Sequence, residues 1–276
     1  MLSEYLNKIK TEYIKQGGDS NFITAYIEEC VFGFNEINTI ISKDQNILEI
    51  GSGSGLLATY LSSLGYRITG LEPFDKAFKK LESILDTVKI ENKEYLKIIK
   101  TNIEAYETPN KYDIIYSINV FEHVEDIDYC INKAIKLLAN NGKLIVLCPN
   151  YSFPYEPHFN IPIIVNKKIT YYFFSNYINK NKNYFQCWNI EECWESLNWI
   201  NYKRIKKLCN VENYSLSVDK NITQRIIDRL LIDKALIKRK GFLVKICKLI
   251  NMINLPYLYS FLPGSFQPYL KLTINK

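Results

Sequence analysis

Histidine is nearly missing from this chain: 276 residues contain two, His123 and His158. Any chemistry that needs an imidazole therefore has two places to come from. Cysteine occurs seven times, at positions 30, 130, 148, 187, 193, 209 and 247, an odd set with no C-x-x-C pair. That pattern speaks against both a disulfide framework and a zinc site, so reduced, mostly buried thiols in a reducing compartment and no metal are expected. Long apolar runs are lacking too. Glu4, Asn7, Lys8 and Lys10 interrupt the start, where a secretory signal needs unbroken apolar sequence. The segment Gly241 to Leu262 is broken by Lys245, Lys248, Asn251, Asn254 and Pro256, short of the roughly 20 consecutive apolar residues of a membrane-spanning helix. A cytoplasmic location is expected. There is no internal repeat, no N-P-P-Y-type motif and no recognisable RNA module, which disfavours nucleic acid as a partner.

What is present is a chain 47% hydrophobic and 23% charged, long enough for one large domain with an elaborate insertion and too apolar for extended disorder. Its charge is lopsided. From Asn201 to the end there are 15 Lys and Arg against 4 Asp and Glu, whereas the whole chain is only +6. This end is either a solvated basic surface or a site for an anionic partner, such as a phosphorylated substrate or a lipid headgroup surface.

Between residues 45 and 148, β-rich runs alternate with helical patterns, the mark of parallel βαβ units. Strands are expected at Gln45 to Ile50, Arg67 to Leu71, Leu96 to Thr101, Tyr112 to Ser117 and Lys143 to Cys148. Helices are expected around Leu56 to Leu64, Asp75 to Ile84 and Asp126 to Leu138. The implied fold is α/β, a Rossmann-like, doubly wound and mostly parallel seven-stranded sheet with a helical insertion before the last strand. Residues 1–41 read as a helical cap broken at Gly17-Gly18, and 42–211 with 269–276 as the core. Residues 212–268 read as a basic helical insertion that could serve as a substrate lid. Within the core an amphipathic helix is expected from Asn189 to Trp199 and a basic strand from Tyr202 to Val211, with Tyr269 to Ile274 returning as an edge strand.

The run Leu48-Glu49-Ile50-Gly51-Ser52-Gly53-Ser54-Gly55 ends a strand and opens a helix. Glycines there permit a tight turn and close approach of a ligand to the backbone, which marks a nucleotide site. About 20 residues on, Gly70-Leu71-Glu72-Pro73 ends the second strand, putting the Glu72 carboxylate where ribose hydroxyls would donate to it. A dinucleotide dehydrogenase would place its third glycine one position later.

Together with Thr101-Asn102-Ile103-Glu104, Tyr112-Asp113-Ile114-Ile115, Asn119-Val120-Phe121-Glu122-His123-Val124, Gly142-Lys143-Leu144 and Pro149-Asn150, these segments resemble the class I S-adenosylmethionine-dependent methyltransferases. The resemblance is to the branch that includes ubiquinone-biosynthesis and sugar-tailoring enzymes, and it runs along most of residues 40–211. It implies S-adenosyl-L-methionine as cofactor and S-adenosyl-L-homocysteine as product. Gly51, Gly53 and Gly55 would line the methionine and ribose portions, with Glu49, Ser52, Pro73 and Glu104 in the same matched segments. Glu72 would hold the ribose, Asn102 and Ile103 would flank the adenine, and Asn119 would sit near the amino acid end. Where the family often has Asp, Asn102 can still accept through its carbonyl oxygen. Asp113 reads as structural.

Methyl transfer needs positioning, and a base only if the acceptor must lose a proton. Both histidines fall in loops that follow successive strands, at the edge where open α/β sheets bind ligands. His123, in the E-H-V segment, reads as an organiser. His158 is the better base candidate, in a Pro- and aromatic-rich loop where Glu156 would orient it and Tyr151 or Tyr155 would contact the acceptor. The run Tyr171-Tyr172-Phe173-Phe174 with Tyr177 suits a helix packed on the domain better than a ligand platform. The segment from Ile222 to Leu262, with Arg225, Arg229, Lys234, Lys238, Arg239, Lys240, Lys245 and Lys248, reads as a membrane-surface helix or a cationic lid. The preferred expectation is O-methylation of a small polar, anionic acceptor, a sugar or a phosphorylated or nucleotide-linked intermediate, in bacterial surface polysaccharide (capsule) modification. The alternatives are a lipid-linked or quinone-like acceptor at the inner membrane, through 222–262, and a non-catalytic cofactor-binding subunit.

Overall fold

The computed structural model describes residues 1–180, 189–252 and 260–276; Cys187, the end of the aromatic stretch expected from Tyr151 to Phe185 and part of the segment Gly241 to Leu262 lie outside these. Helices α1 (Leu2–Lys15) and α2 (Ser20–Ile37) open the chain. They break where the glycines predict: Gly17 takes φ +86, and the Asp19 carboxylate accepts from the Asn21 and Phe22 amides to start α2. Strands and helices then alternate as β1 (Asn46–Ile50), α3 (Leu56–Ser63), β2 (Arg67–Leu71), α4 (Glu82–Asn92), β3 (Ile98–Ile99), β4 (Tyr112–Ile118), α5 (Ile127–Leu137) and β5 (Leu138–Pro149). After them come β6 (Tyr155–Glu156), β7 (Ile161–Pro162), α6 (Lys167–Lys180), α7 (Ile190–Ser196), α8 (Tyr202–Glu212), β8 (Ser215–Val218), α9 (Ile222–Ile232), α10 (Lys234–Met252) and β9 (Tyr269–Asn275).

Seven strands form one mostly parallel sheet in the order β3-β2-β1-β4-β5-β9-β8, and β6 and β7 form a separate antiparallel pair. Parallel pairing sets Ile47 beside Ile68 and Leu48 beside Ile115. Near-continuous Ile and Leu in these strands reflects burial on both faces. The chain divides into two compact units, one of residues 1–118, 129–145 and 275–276, the other of 119–128 and 146–274.

In the first unit, α1 packs on α2, α3 and α4. Tyr13 hydrogen-bonds Ser83, Thr87 bonds Gln16, and Lys8 pairs with Glu91 at 2.7 Å. The expected helix from Asp75 is a 3-10 turn, Lys76–Leu81, running into α4. Asp113 is structural, its carboxylate accepting from the Asn46 amide at 2.8 Å at the start of β1.

The second unit departs further from expectation. The segment expected as a basic strand, Tyr202 to Val211, is helix α8. Asn201 caps it through the Arg204 amide, and Ile205 and Cys209, four apart, face the core while Lys203, Lys206 and Lys207 face solvent. Helical spacing and a cap outweigh the β-preference of its Tyr, Ile and Val. Strand β8 interrupts the stretch expected to be wholly helical. It takes the sheet edge, leaving β9 inside the sheet between β5 and β8. Helix α6 also differs, since Tyr172 is 79% and Phe173 61% exposed. No helix among the described residues is long and apolar enough to cross a membrane. All six described cysteines are free and buried.

Asn150, fully buried at the end of the fifth strand, uses both ends of its amide. Its nitrogen donates to the Gly264 and Gln267 carbonyls at 3.0 and 2.7 Å, and its oxygen accepts from the Ser152 and Tyr202 amides. Removing such a hub strands several buried backbone groups at once. Asn150→Ala is expected to destabilise the fold by about 2–4 kcal/mol in urea unfolding; a loss within about 0.5 kcal/mol would show that water replaces the hub.

Candidate functional site

The loop between β1 and α3 is held open by backbone geometry that only glycine adopts cheaply. Gly51, Gly53 and Gly55 have φ of +72, +54 and +73. A Cβ at Gly55 would also meet Leu85 at 2.7 Å. The Ser52 amide donates to the Leu71 carbonyl at 2.8 Å, tying the loop to the end of β2. The Glu72 carboxylate accepts from the Gly53 amide at 2.8 Å and from the Phe74 amide at 3.4 Å. Pro73 leads into Phe74, a buried non-glycine residue at φ +53. Strain of this kind gathers at functional turns.

Two carboxylates crowd this loop. Burial pushes Glu72 up to about 7 against the two amides that favour its charge, and pushes Glu49 up to about 8, with the Glu72 charge adding and Tyr116 opposing. Glu49 Oε2 is buried with no hydrogen-bond partner among the described residues. An accepting oxygen held from water in this way suits a ligand that brings its own donors or positive charge. These features fit S-adenosylmethionine. The glycine turn leaves room for its backbone-proximal portion, Glu72 would accept from the ribose hydroxyls, and Glu49 would face its cationic part. Ile103 is buried, while Asn102 is exposed and its side-chain oxygen accepts from the Ala105 amide, forming a turn. Glu104 enters the local hydrogen bonding through its backbone carbonyl, which accepts from Lys133 at 2.9 Å. Asn119 falls in the second unit at φ +57. Its amide donates to Leu147 and its side-chain oxygen accepts from the Tyr269 hydroxyl.

In the second unit the loops after β4 and β5 bring His123, Tyr151, Glu156 and His158 together. The E-H-V loop is clamped by Asn198, whose side-chain nitrogen donates to the Phe121 and Val124 carbonyls, both at 2.8 Å. Glu156, fully buried, accepts from His158 Nδ1 at 2.7 Å, from the Phe159 amide at 2.6 Å and from the Tyr151 hydroxyl at 3.2 Å. Burial alone would raise its pKa; the neighbouring imidazole and the two loop amides overcome that and hold it below the usual carboxylate range. His123 Nδ1 lies 2.8 Å from Ser196 Oγ, and that hydroxyl donates to the Cys193 carbonyl. Burial, then the His158 and Lys167 charges, hold the His123 imidazole well below its ordinary value, so it stays neutral. Stacked indoles and phenols wall the group. Tyr151 and Trp199 lie parallel at 5.6 Å, and Trp194 contacts Trp199, Phe159 and Tyr171.

Ser196, Trp199, Asn198 and Lys240 carry no motif and are legible only in three dimensions. Lys240 of α10 donates to the Pro157 carbonyl and the Asn160 side chain, holding the loop that carries His158. Trp199 sits at φ +56, with its buried indole nitrogen lacking a hydrogen-bond partner among the described residues. Glu122, His123 and His158 also form a set of donors able to hold a metal ion.

Residues 48–144 match a family described as methyltransferase domain. The chain is 28% identical over 232 residues to an uncharacterized protein of Mycobacterium tuberculosis, covering 83% of this chain and 78% of that one. It is 30% identical over 144 residues to the ubiquinone biosynthesis O-methyltransferase of Rickettsia typhi, covering 51% and 49%. Among solved structures, the phosphoethanolamine N-methyltransferase 2 of Haemonchus contortus in complex with S-adenosyl-L-methionine shares the fold at TM-score 0.52 and 14% identity, covering 88% of this chain and 50% of that one. The chain spans about half the length of these last two proteins. A Rossmann-like sheet of this order, a left-handed glycine loop and an acidic second strand end within the matched segment define the class I methyltransferase fold. Residues 48–144 thus carry the match to a methyltransferase domain, and the fold around them is that of S-adenosylmethionine-dependent methyltransferases.

Glu72→Gln keeps the shape but offers the ribose one acceptor in place of two, and calorimetry should show S-adenosylmethionine binding weakened about 10- to 100-fold. Unchanged affinity would place the ribose elsewhere. Because Glu49 and Glu72 keep protons in the folded chain that the unfolded chain loses above about pH 4.5, their contribution to stability falls as pH rises toward 8. The drop in Tm of the cofactor-free chain between pH 5 and pH 8 should therefore be shallower in Glu49→Gln than in the parent; parallel profiles would contradict the assignment.

Proposed function

We propose that the chain transfers a methyl group to an oxygen of a small polar acceptor that docks against Tyr151, His158 and Trp199. The observation that carries this reading is a matched donor and acceptor within one buried aromatic group. Trp199 Nε1 is a buried donor lacking a protein partner among the described residues. His158, with Nδ1 directed to the Glu156 carboxylate, presents Nε2 as a base. A hydroxyl acceptor answers both, its oxygen accepting from the indole and its proton going to the imidazole. The Rickettsia typhi relative, an O-methyltransferase, supports oxygen over nitrogen.

S-adenosylmethionine, when bound, supplies an electrophilic methyl group on a sulfonium, and S-adenosylhomocysteine leaves with the sulfur electron pair. The rest falls to protein groups. Glu156 fixes the His158 ring through Nδ1 and stabilises the imidazolium that forms when Nε2 takes the acceptor proton. Tyr151 and the two loop amides keep that carboxylate in place.

A sugar, or a phosphorylated or nucleotide-linked sugar of bacterial surface polysaccharide modification, is the acceptor class we favour, on the stacked aromatic wall and the exposed Tyr172 and Phe173 of α6. An anionic acceptor draws less support from the arginines of α9 than their sequence promised: Arg225 and Arg229 each lie 2.6 Å from a carboxylate, Asp219 and Asp233. A quinone-like or lipid-linked acceptor at the cytoplasmic membrane face is the second reading. It is favoured by Ile237, Ile246, Leu249 and Met252 of α10, exposed beside Lys238, Lys245 and Lys248.

A methyl-release assay over hydroxylated sugars, nucleotide sugars, catechols and amines, with and without phosphatidylglycerol vesicles, separates these readings. Hydroxyl acceptors should turn over and amines should not; the reverse would sink the proposal. With the acceptor found, Trp199→Phe should raise its KM about tenfold and His158→Gln should lower kcat by 100-fold or more, with S-adenosylmethionine affinity unchanged in both.

A further inference from the structure

We propose that Glu122, His123 and His158 bind one divalent transition-metal ion, of the zinc, cobalt or manganese kind, beside the acceptor. The chain spends both of its histidines on this spot. They come from separate loops, yet their rings lie 5.2 Å apart, crossed at 73°. Glu122, the residue before His123, completes the set, with one donor atom from each of the three within 4.8 Å of the others. Tetrahedral bonds of about 2.0–2.2 Å to a central ion set donors roughly 3.3–3.6 Å apart, so a pair at the 4.8 Å limit closes by about 1.2 Å, within the reach of small side-chain torsions.

The partners of the two rings select the form of imidazole that a metal takes. Ser196 gives its hydroxyl hydrogen to the Cys193 carbonyl, so toward His123 it accepts, and Nδ1 of that ring carries the hydrogen. The Glu156 carboxylate can only accept, so Nδ1 of His158 carries a hydrogen as well. With the hydrogen on Nδ1, the lone pair of each neutral ring lies on Nε2. A histidine bonded through one nitrogen to an oxygen acceptor and through the other to a metal is the recurring arrangement of protein metal sites. Here it occurs twice, on rings in contact. Two imidazoles and one carboxylate form a set that zinc and other first-row ions accept while keeping positions open for a substrate oxygen. Charge agrees, since Glu122 and Glu156 are both fully buried in the same group and a divalent ion offsets that negative charge. The cysteine pattern could not reveal such a site, because none of its ligands is a thiolate.

The catalytic use of the ion rests on the O-methylation reading above; its binding does not. An acceptor hydroxyl coordinated to the ion would break its O–H bond nearer neutral pH, the electron pair staying on oxygen and the proton passing to solvent water. His158 would then hold the ion in place of taking the proton itself.

With two histidines in the chain, nitrogen-15 histidine labelling gives two imidazole side chains to follow. Zinc chloride added to the full chain should shift the Nε2 resonances of both together and saturate at one ion per chain. Glu122→Gln should weaken zinc binding about 10-fold or more, and His158→Ala by more still, with S-adenosylmethionine affinity unchanged as the control for folding. If neither imidazole responds, or only one does, or the variants bind zinc as the parent does, the site is refuted. If the variants fail to fold, the labelled parent chain decides alone. Full methyl transfer by chelator-stripped chain would overturn the ion's catalytic part. A chain that binds zinc at both imidazoles and methylates no hydroxyl acceptor would overturn the O-methylation reading and leave the site standing.

Discussion

A carboxylate taken out of water must be given donors, and this constraint shapes both functional regions of the chain. At the end of the second strand it is met by the Gly53 and Phe74 amides, which Glu72 draws in at 2.8 and 3.4 Å. The glycine loop is thereby tied to the strand end nineteen positions downstream. Three left-handed glycines make that pose affordable, and no other residue type would hold it without strain. In the second unit Glu156 meets the same demand with a phenol, an imidazole and two amides. Loop, ring and phenol become one rigid assembly because one buried charge needs all of them.

The two regions resolve the constraint in opposite directions. Around Glu49 and Glu72 desolvation wins, and the carboxyls are held up near neutrality, poised for a ligand that brings donors or positive charge. Around Glu156 the donors win and the charge is stable. The first arrangement suits reversible binding of a cation; the second suits fixed support for a neighbouring imidazole. This difference follows from how many donors reach each carboxylate, and it bears directly on which region binds and which orients.

Much of the region around the glycine loop was legible in the sequence because its logic is local. Strand limits at 46–50 and 67–71 follow from short Ile- and Leu-rich runs closed by glycines, and the break between the first two helices follows from Gly17-Gly18. The segment from 202 to 211 misled because its Tyr, Ile and Val suggest a strand, while the deciding features, the Asn201 cap and the four-residue spacing of Ile205 and Cys209, are quieter. The aromatic helix at 167–180 carries a pattern suited to packing, yet Tyr172 and Phe173 face outward, since periodicity says that a face exists and not what covers it. The arginines of the ninth helix read as available cations until Asp219 and Asp233 are found beside them.

By itself the sequence determined the alternation of strands and helices, the glycine loop and the acidic residue that bonds to it, because each rests on backbone conformations and spacings within a few tens of residues. Tertiary structure decided that Ser196 lies against His123 and Glu156 against His158, that Trp199 stacks on Tyr151, and that Lys240 secures the loop carrying His158. Those pairings join positions up to 83 residues apart. Hydrogen-bond partners at such separations are set by which loops the sheet brings together, and no local pattern encodes that.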